Sequence, residues 1–398
     1  MTMMSDLSQD LIEEILSRVS ITSLLAVRST CKVWNVLSKN RILCREKARH
    51  QFLGFLMMDD RLFSCNFNLH GIGLNQDDSE EFVDPLIKPL GDLLDRVEIC
   101  KVFSCDGLLL CVTRNHSRSL VVWNPYLGQT RWIRTSNDYH VGSTYALGYD
   151  KNKNHKILKF FPQKGYYEIY DFKSNSWSFS FVAPNKGLKC YQPSVSINGN
   201  AYFLTDARNV MEGYDCLLCF DFTTKKFGEL LSLPFSHDFE QTGRLSCVKE
   251  EKLAVLYQRY YYSSKIEIWV TTTIEPNAVS WSKFLAVNME PLPSLEFDDY
   301  ASSFFIDEEK KVAVVFDLDQ SERCKTAYII GYNGCLKEVD LENVPHEPVK
   351  VRGYIHYFQA LVCSSCSYVP SLVQIKQISE HERKDKKRKR KRKETNKV

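Results

Sequence analysis

Nowhere does the sequence hold an apolar run approaching the ~18–20 residues that cross a bilayer, so no membrane span is expected. The opening MTMMSDLSQD lacks a basic stretch followed by a long apolar one, so no secretory leader is expected either, and the reading is intracellular. The metalloprotease HExxH, the nucleophile-elbow GxSxG and the Walker GxxxxGK are absent. Gly71-Ile72-Gly73 starts a dinucleotide-like pattern, but Gln76 stands where the third glycine belongs. The nine histidines fall in no close His–Asp–Ser or Cys–His set. No catalytic residue, metal or cofactor is therefore assigned.

Cysteine is plentiful, with 14 residues, yet a reducing compartment argues against disulfides. Two CxxC pairs, Cys216/Cys219 and Cys363/Cys366, have no second pair or HxxxH at zinc-like spacing. The first lies in the strand-like CLLCFDF, where positions three apart face opposite ways. Asn115-His116-Ser117 fits a glycosylation acceptor that an intracellular chain would not use. Charge is unevenly spread. From Lys376 onward there are 12 basic and 4 acidic residues, so a chain of net charge +3 carries +8 there and −5 elsewhere.

Residues Ser5 to His50 read as a small helical module. Leu7, Leu11, Ile12, Ile15, Leu16 and Val19, then Leu24, Val27, Cys31, Trp34 and Leu37, recur at helical spacing. Ser8 is placed to cap the first helix, with Asp10, Glu13 and Glu14 in its early turns. Thr22 or Ser23 would cap a second helix, and Thr30 would start a third. A unit of ~40–50 residues buries too little to stand alone. Leu25, Val33 and Val36 lie off the main stripe, so apolar surface is left over for docking.

The stretch resembles an F-box, the module that docks substrate receptors onto the Skp adaptor of cullin-based ubiquitin ligases. The matching residues are Leu7, Asp10-Leu11, Glu14-Ile15-Leu16, Arg18, Ser23-Leu24, Arg28 and Cys31-Lys32-x-Trp34, while Ser8 and Ser20 stand where the family has proline. The resemblance implies that Leu7, Leu11, Ile15, Leu16 and Leu24 contact the adaptor, with cullin reached through it.

Beyond Arg49 the pattern turns to short strands separated by polar turns. Five units recur. Each has a first hairpin, such as SVSINGNAYFLT or FFIDEEKKVAVVFD, and a second, such as SLVVWNPYLGQTRWI or YYEIYDFKSNSWSFSF. The anchors Trp123, Tyr170, Phe220 and Trp269 lie 47, 50 and 49 residues apart. Four short strands per ~40–50 residues point to a β-propeller. The flanking segments 52–69 and 355–375 would jointly supply one composite blade, giving six blades, with seven as the alternative. CDGLLLC, VVWNP with Gly128 and Arg131-Trp132, and the late YVPSLVQI resemble the F-box-associated domain found behind F-boxes in large plant receptor families.

The expected organisation is an all-α module over 1–50, an all-β propeller over 51–375 and a disordered basic tail over 376–398. Substrate candidates are Tyr260, Tyr261 and Tyr262, which cannot all be core in a strand, together with Arg208, Met211, Glu296, Asp298 and Asp299 in loops. Lys386, Lys387, Arg388, Lys389, Arg390, Lys391, Arg392 and Lys393 form an import-signal candidate, giving a nuclear and/or cytoplasmic expectation. Loose phosphate-backbone contact is the other use of such a tail; no base-reading motif accompanies it. The expected role is a non-catalytic receptor for an unidentified protein target. The alternatives are a module that merely sequesters a partner and, remotely, a propeller hydrolase.

Overall fold

The computed structural model describes residues 7–17, 19, 21–40, 53–58, 61–67, 69, 85–89, 97–113, 119–135, 143–181, 189–190, 193–206, 215–235, 241–259, 265–288, 303–318, 325–332, 334–341 and 368–375. Three helices come first: α1 (Gln9–Ser17), α2 (Ile21–Thr30) and α3 (Lys32–Asn40). Ser8 caps α1 as expected, its hydroxyl accepting from the Leu11 N–H at 3.4 Å. The second helix begins at Ile21, earlier than Thr22 or Ser23, so both lie inside it; Thr30 ends it rather than starting the third.

The remaining described strands form six antiparallel sheets. Blade I holds β1 (Leu53–Met58), β2 (Arg61–Asn66) and β3 (Leu86–Pro89). Blade II holds β4 (Ile99–Cys105), β5 (Leu108–Thr113), β6 (Ser119–Asn124) and β7 (Gln129–Arg134). Blade III holds β8 (Thr144–Tyr149), β9 (His155–Phe161), β10 (Tyr166–Asp171) and β11 (Ser176–Phe181). Blade IV starts on a broken strand, β12 (Lys189–Cys190) and β13 (Val195–Ile197), then β14 (Asn200–Asp206), β15 (Asp215–Asp221) and β16 (Lys226–Ser232). Blade V holds β17 (Gln241–Val248), β18 (Lys252–Arg259), β19 (Lys265–Glu275) and β20 (Ala278–Asn288). Blade VI holds β21 (Ser303–Asp307), β22 (Val312–Leu318), β23 (Lys325–Gly331) and β24 (Leu336–Asp340).

Period-two alternation sends each blade's apolar residues to both faces, and neighbours bury them. On β15, Cys216 faces blade III and Cys219 faces blade V, as the strand reading of that CxxC requires. Six clusters link I to II, II to III and so on around to VI with I, where Phe67 packs on Phe305 and Phe316. The ring is thus closed with six blades. The repeat anchors Trp123, Tyr170, Phe220 and Trp269 all fall on third strands. Outer strands are also tied across blades: Trp177 Nε1 donates to the Arg134 carbonyl at 2.8 Å and Trp281 Nε1 to the Ser232 carbonyl at 3.1 Å. Arg131 reaches from blade II to Tyr170 Oη and Asn175 Oδ1 of blade III, at 2.9 and 3.0 Å.

Blade I holds a strand that the expected composite did not include. Its third described strand is β3, and residues 368–375 form no strand. Pro370 cannot donate to a ladder. Side-chain amides take the ladder's place: Asn124 Nδ2 donates to the Ser371 and Val373 carbonyls at 3.0 and 2.9 Å, and Gln129 Oε1 accepts from the Ile375 N–H at 3.0 Å. Residues 355–367 lie outside the described residues, as do Gly71-Ile72-Gly73, Asn115-His116-Ser117 and Cys363/Cys366.

Candidate functional site: two apolar faces of the helical module

Helix α1 carries two apolar stripes, each at i, i+4. Ile12 and Leu16 turn inward and join Leu24 and Leu37 in one core, with Leu7, Val19, Val27 and Trp34 packed around it. Leu11 and Ile15 turn outward, 47% and 38% exposed. On α3, Val33 and Val36 are 54% and 58% exposed. Apolar side chains of this size are ordinarily buried, and four left exposed on one small module are surface that water disfavours. Of the five residues that the resemblance pointed to, then, Leu11 and Ile15 are on the outside, Leu7 is half-buried, and Leu16 and Leu24 are each 1% exposed. Burial assigns the last two to holding the helices together, since a side chain already surrounded has no surface to offer a partner.

The inner stripe is completed by the ring. Tyr126 and Leu127, in the turn between β6 and β7, belong to the module's core cluster. Arg28, also buried, crosses the joint. Its Nε donates to Ser38 Oγ at 2.7 Å, its Nη2 to the Ser38 carbonyl at 3.4 Å and its Nη1 to the Tyr126 carbonyl. Its Cζ lies 4.3 Å from the centre of the Tyr126 ring. Burial pulls the guanidinium below its ordinary pKa, partly offset by Tyr126. The Tyr126 hydroxyl donates back to the Ser38 carbonyl.

The turn itself is braced from behind. Asn124 Oδ1 accepts from the Leu127 N–H at 2.9 Å. Tyr368 Oη accepts from the Tyr126 N–H at 3.3 Å and donates to the Gly107 carbonyl at 3.1 Å. The Tyr368 ring packs on Phe55 at 5.1 Å, and burial raises its pKa far above the ordinary value. Gly107 has φ +66°, and a Cβ there would stand 2.4 Å from Ser371 Cβ and 2.5 Å from the Val369 carbonyl. Only glycine satisfies both demands. The three segments that carried the propeller resemblance, CDGLLLC, WNPYLG and YVPSLVQI, therefore meet at one place, beneath the helices.

Blades II to VI are up-and-down meanders, so the turns between first and second and between third and fourth strands share one end of the ring. Contacts between turns show this directly: Gly107 N–H to Glu250 Oε1 at 3.2 Å, His155 Nε2 to Asp106 Oδ2 at 3.1 Å, and Lys249 Nζ to Glu309 Oε1 at 2.5 Å. The helical module sits at this end, on the β6–β7 turn. The target-binding candidates Arg208, Met211, Tyr260, Tyr261, Tyr262, Glu296, Asp298 and Asp299 lie outside the described residues. The strand ends that flank them, Asp206 and Asp215, Arg259 and Lys265, Asn288 and Ser303, are at the opposite end from the turns. The tail residues Lys386 to Lys393 also lie outside the described residues. Among the described residues no group of three or more His, Cys, Asp or Glu is placed to hold a metal ion.

Comparison with known proteins agrees with this division. A family described as the F-box domain matches residues 4–46, and one described as the F-box associated beta propeller domain matches residues 53–375. The putative F-box protein At1g32140 of Arabidopsis thaliana is 72% identical over 100% of this chain and 67% of its own length. The F-box protein At3g19880 of the same plant is 55% identical over 97% of this chain and 96% of its own. An Arabidopsis F-box/kelch-repeat protein, At3g13680, is 47% identical over 97% and 100%. Among solved structures, the β-propeller domain of Myceliophteria thermophila Cps50 (Swd1) aligns over 73% of this chain and 86% of its own, at 13% identity and a TM-score of 0.38. With a helical module matched at one end and its ring matched from the first strand to Ile375, the chain belongs to the F-box proteins that carry an F-box-associated β-propeller domain.

Proposed function

We propose that this protein is the target-recognition subunit of an Skp–cullin–F-box ubiquitin ligase. The observation that carries the reading is the exposure of Leu11, Ile15, Val33 and Val36 on a module of the F-box family, read as one docking face. That face docks the Skp-type adaptor, and cullin is engaged through the adaptor. The far end of the ring holds the target protein, through the loops between Asp206 and Asp215, Arg259 and Lys265, and Asn288 and Ser303. The protein contributes no bond-making group. It raises the local concentration of target lysines near a charged ubiquitin carrier, which is catalysis by proximity. The basic run Lys386 to Lys393 serves nuclear import in this reading.

Co-purification tests it. The wild-type chain should recover a plant Skp adaptor, and Leu11→Asp with Ile15→Asp should lower recovery at least tenfold, because two charges are then forced against an apolar partner. Failure of the wild type, or indifference to the double substitution, rejects the reading. Recovery of the adaptor without ubiquitylation of any bound protein in a reconstituted ligase favours a partner-sequestering role instead.

A further inference from the structure

The module's inner face is a second interface, and its partner is part of the same chain. Leu16, Leu24, Ile12 and Leu37 close on Tyr126 and Leu127 as one cluster, so the module alone would expose the apolar surface that makes its core. Apolar contact is non-directional and would let the helices slide or rock. A guanidinium fork is directional, and Arg28 spends its fork on acceptors from both sides, Ser38 of the module and Tyr126 of the ring. Tyr126 answers with its own hydroxyl to Ser38, so two polar contacts and one ring face cross the joint, while two bonds from Arg28 to Ser38 hold the guanidinium in place for them. Tyr368 and Gly107 hold the turn so that Tyr126 cannot swing away.

We infer that the 124–128 turn is an internal docking site for the helical module, with Tyr126 and Arg28 as positioning residues. They hold the exposed Leu11, Ile15, Val33 and Val36 at a set orientation to the ring. The seat itself does not depend on the ligase reading; its use in aiming a bound target at the ubiquitin carrier does.

The test uses the full chain with a protease site placed between Asn40 and Leu53. After cleavage the module should co-elute with the ring at micromolar concentration. Tyr126→Ala should release at least tenfold more module, while Tyr126→Phe, which keeps the ring face and the carbonyl, should retain most of it. Should Tyr126→Ala disturb the ring, Arg28→Met reports the same interface with the ring sequence untouched, and should also release the module. In the uncut chain, a fluorophore at Lys32, exposed on α3, should tumble with the whole 46.2 kDa body, and Arg28→Met should add a fast component without changing the ring's unfolding midpoint. Separation of the wild-type halves, or equal retention in Tyr126→Ala and Arg28→Met, overturns the inference. Adaptor recovery by the uncut chain is scored apart: its failure with an intact seat rejects the ligase reading alone.

Discussion

Glu250 should make this protein less stable as pH rises toward neutrality. It sits in the tight turn after β17, at φ +59°, and its carboxyl accepts from the Gly107 N–H across the ring's turn end. Burial pushes its pKa from 4.5 up to about 7; Asp106 adds to the rise, and the Gly107 N–H offsets part of it. In the unfolded chain the group ionises near 4.5. Between these values the folded state holds a proton that the unfolded state has released, so stability falls with pH, by at most about 1.4 kcal/mol per unit. The full effect is about 2–3 kcal/mol once pH exceeds 7, with the residue's partial exposure favouring the lower figure. Glu250→Gln keeps an oxygen for Gly107 and removes the titration. Urea unfolding should show the two proteins alike near pH 4.5 and the glutamine variant more stable by that amount at pH 8. Titrating groups that do not interact with Glu250 cancel in the difference. Parallel pH profiles for the two proteins would refute the reasoning.

Three further outcomes are expected. Gly107→Ala should cost about 2 kcal/mol or more by thermal unfolding, because the new methyl meets Ser371 and Val369 at a positive φ. Lys156, 2% exposed, lies 2.6 Å from Asp150 and 3.3 Å from Asp171, and removing it should cost about 3–5 kcal/mol by leaving two carboxylates against each other. Burial raises the Asp150 pKa, but Lys156 and the bonds from Asn154 and Asn152 outweigh it and hold the carboxyl well below its usual range. Its contribution is thus complete above about pH 4 and lost as acid protonates the folded state, and acid titration of Lys156→Met should show a smaller loss, since the bonds from Asn154 and Asn152 remain. Finally, β11 is the outer strand that carries no charge in its sequence SWSFSF, whereas β7, β16, β20 and β24 each hold a charged residue. Phe181 is 74% exposed on it. Phe181→Lys should reduce self-association in light scattering at high protein concentration, as charges blunt other sheet edges.

Much of the ring was legible because a blade repeats. Trp123, Tyr170, Phe220 and Trp269 recur at nearly constant spacing, and hairpins such as Asn198-Gly199 show turn chemistry without help from context. Blade I was legible only in part. Leu86–Pro89 is four residues long and offers too little alternation to stand out, while YVPSLVQI reads as a strand until its partner is known to be two side-chain amides. The exposed apolar residues of the helical module were half legible. The family resemblance names Leu16 and Leu24 together with Leu11 and Ile15, and helical periodicity finds apolar stripes without saying which one the core consumes. Tyr126 carried a weaker signal: a large aromatic in a polar turn, directly after Asn-Pro, has no ladder reason to be there.

The bond from Tyr126 to Tyr368 joins positions 242 residues apart, and that from Tyr368 to Gly107 spans 261. Chains emerge from the ribosome N-terminus first. The helical module is therefore made before its seat, which follows some ninety residues later, and the residue that locks the seat comes 242 residues after Tyr126. A chain halted before Tyr368 displays the helices without their brace. The joint is thus timed by chain length: the helices and their seat exist well before the side chain that braces them, and the brace arrives only once residue 368 has been made.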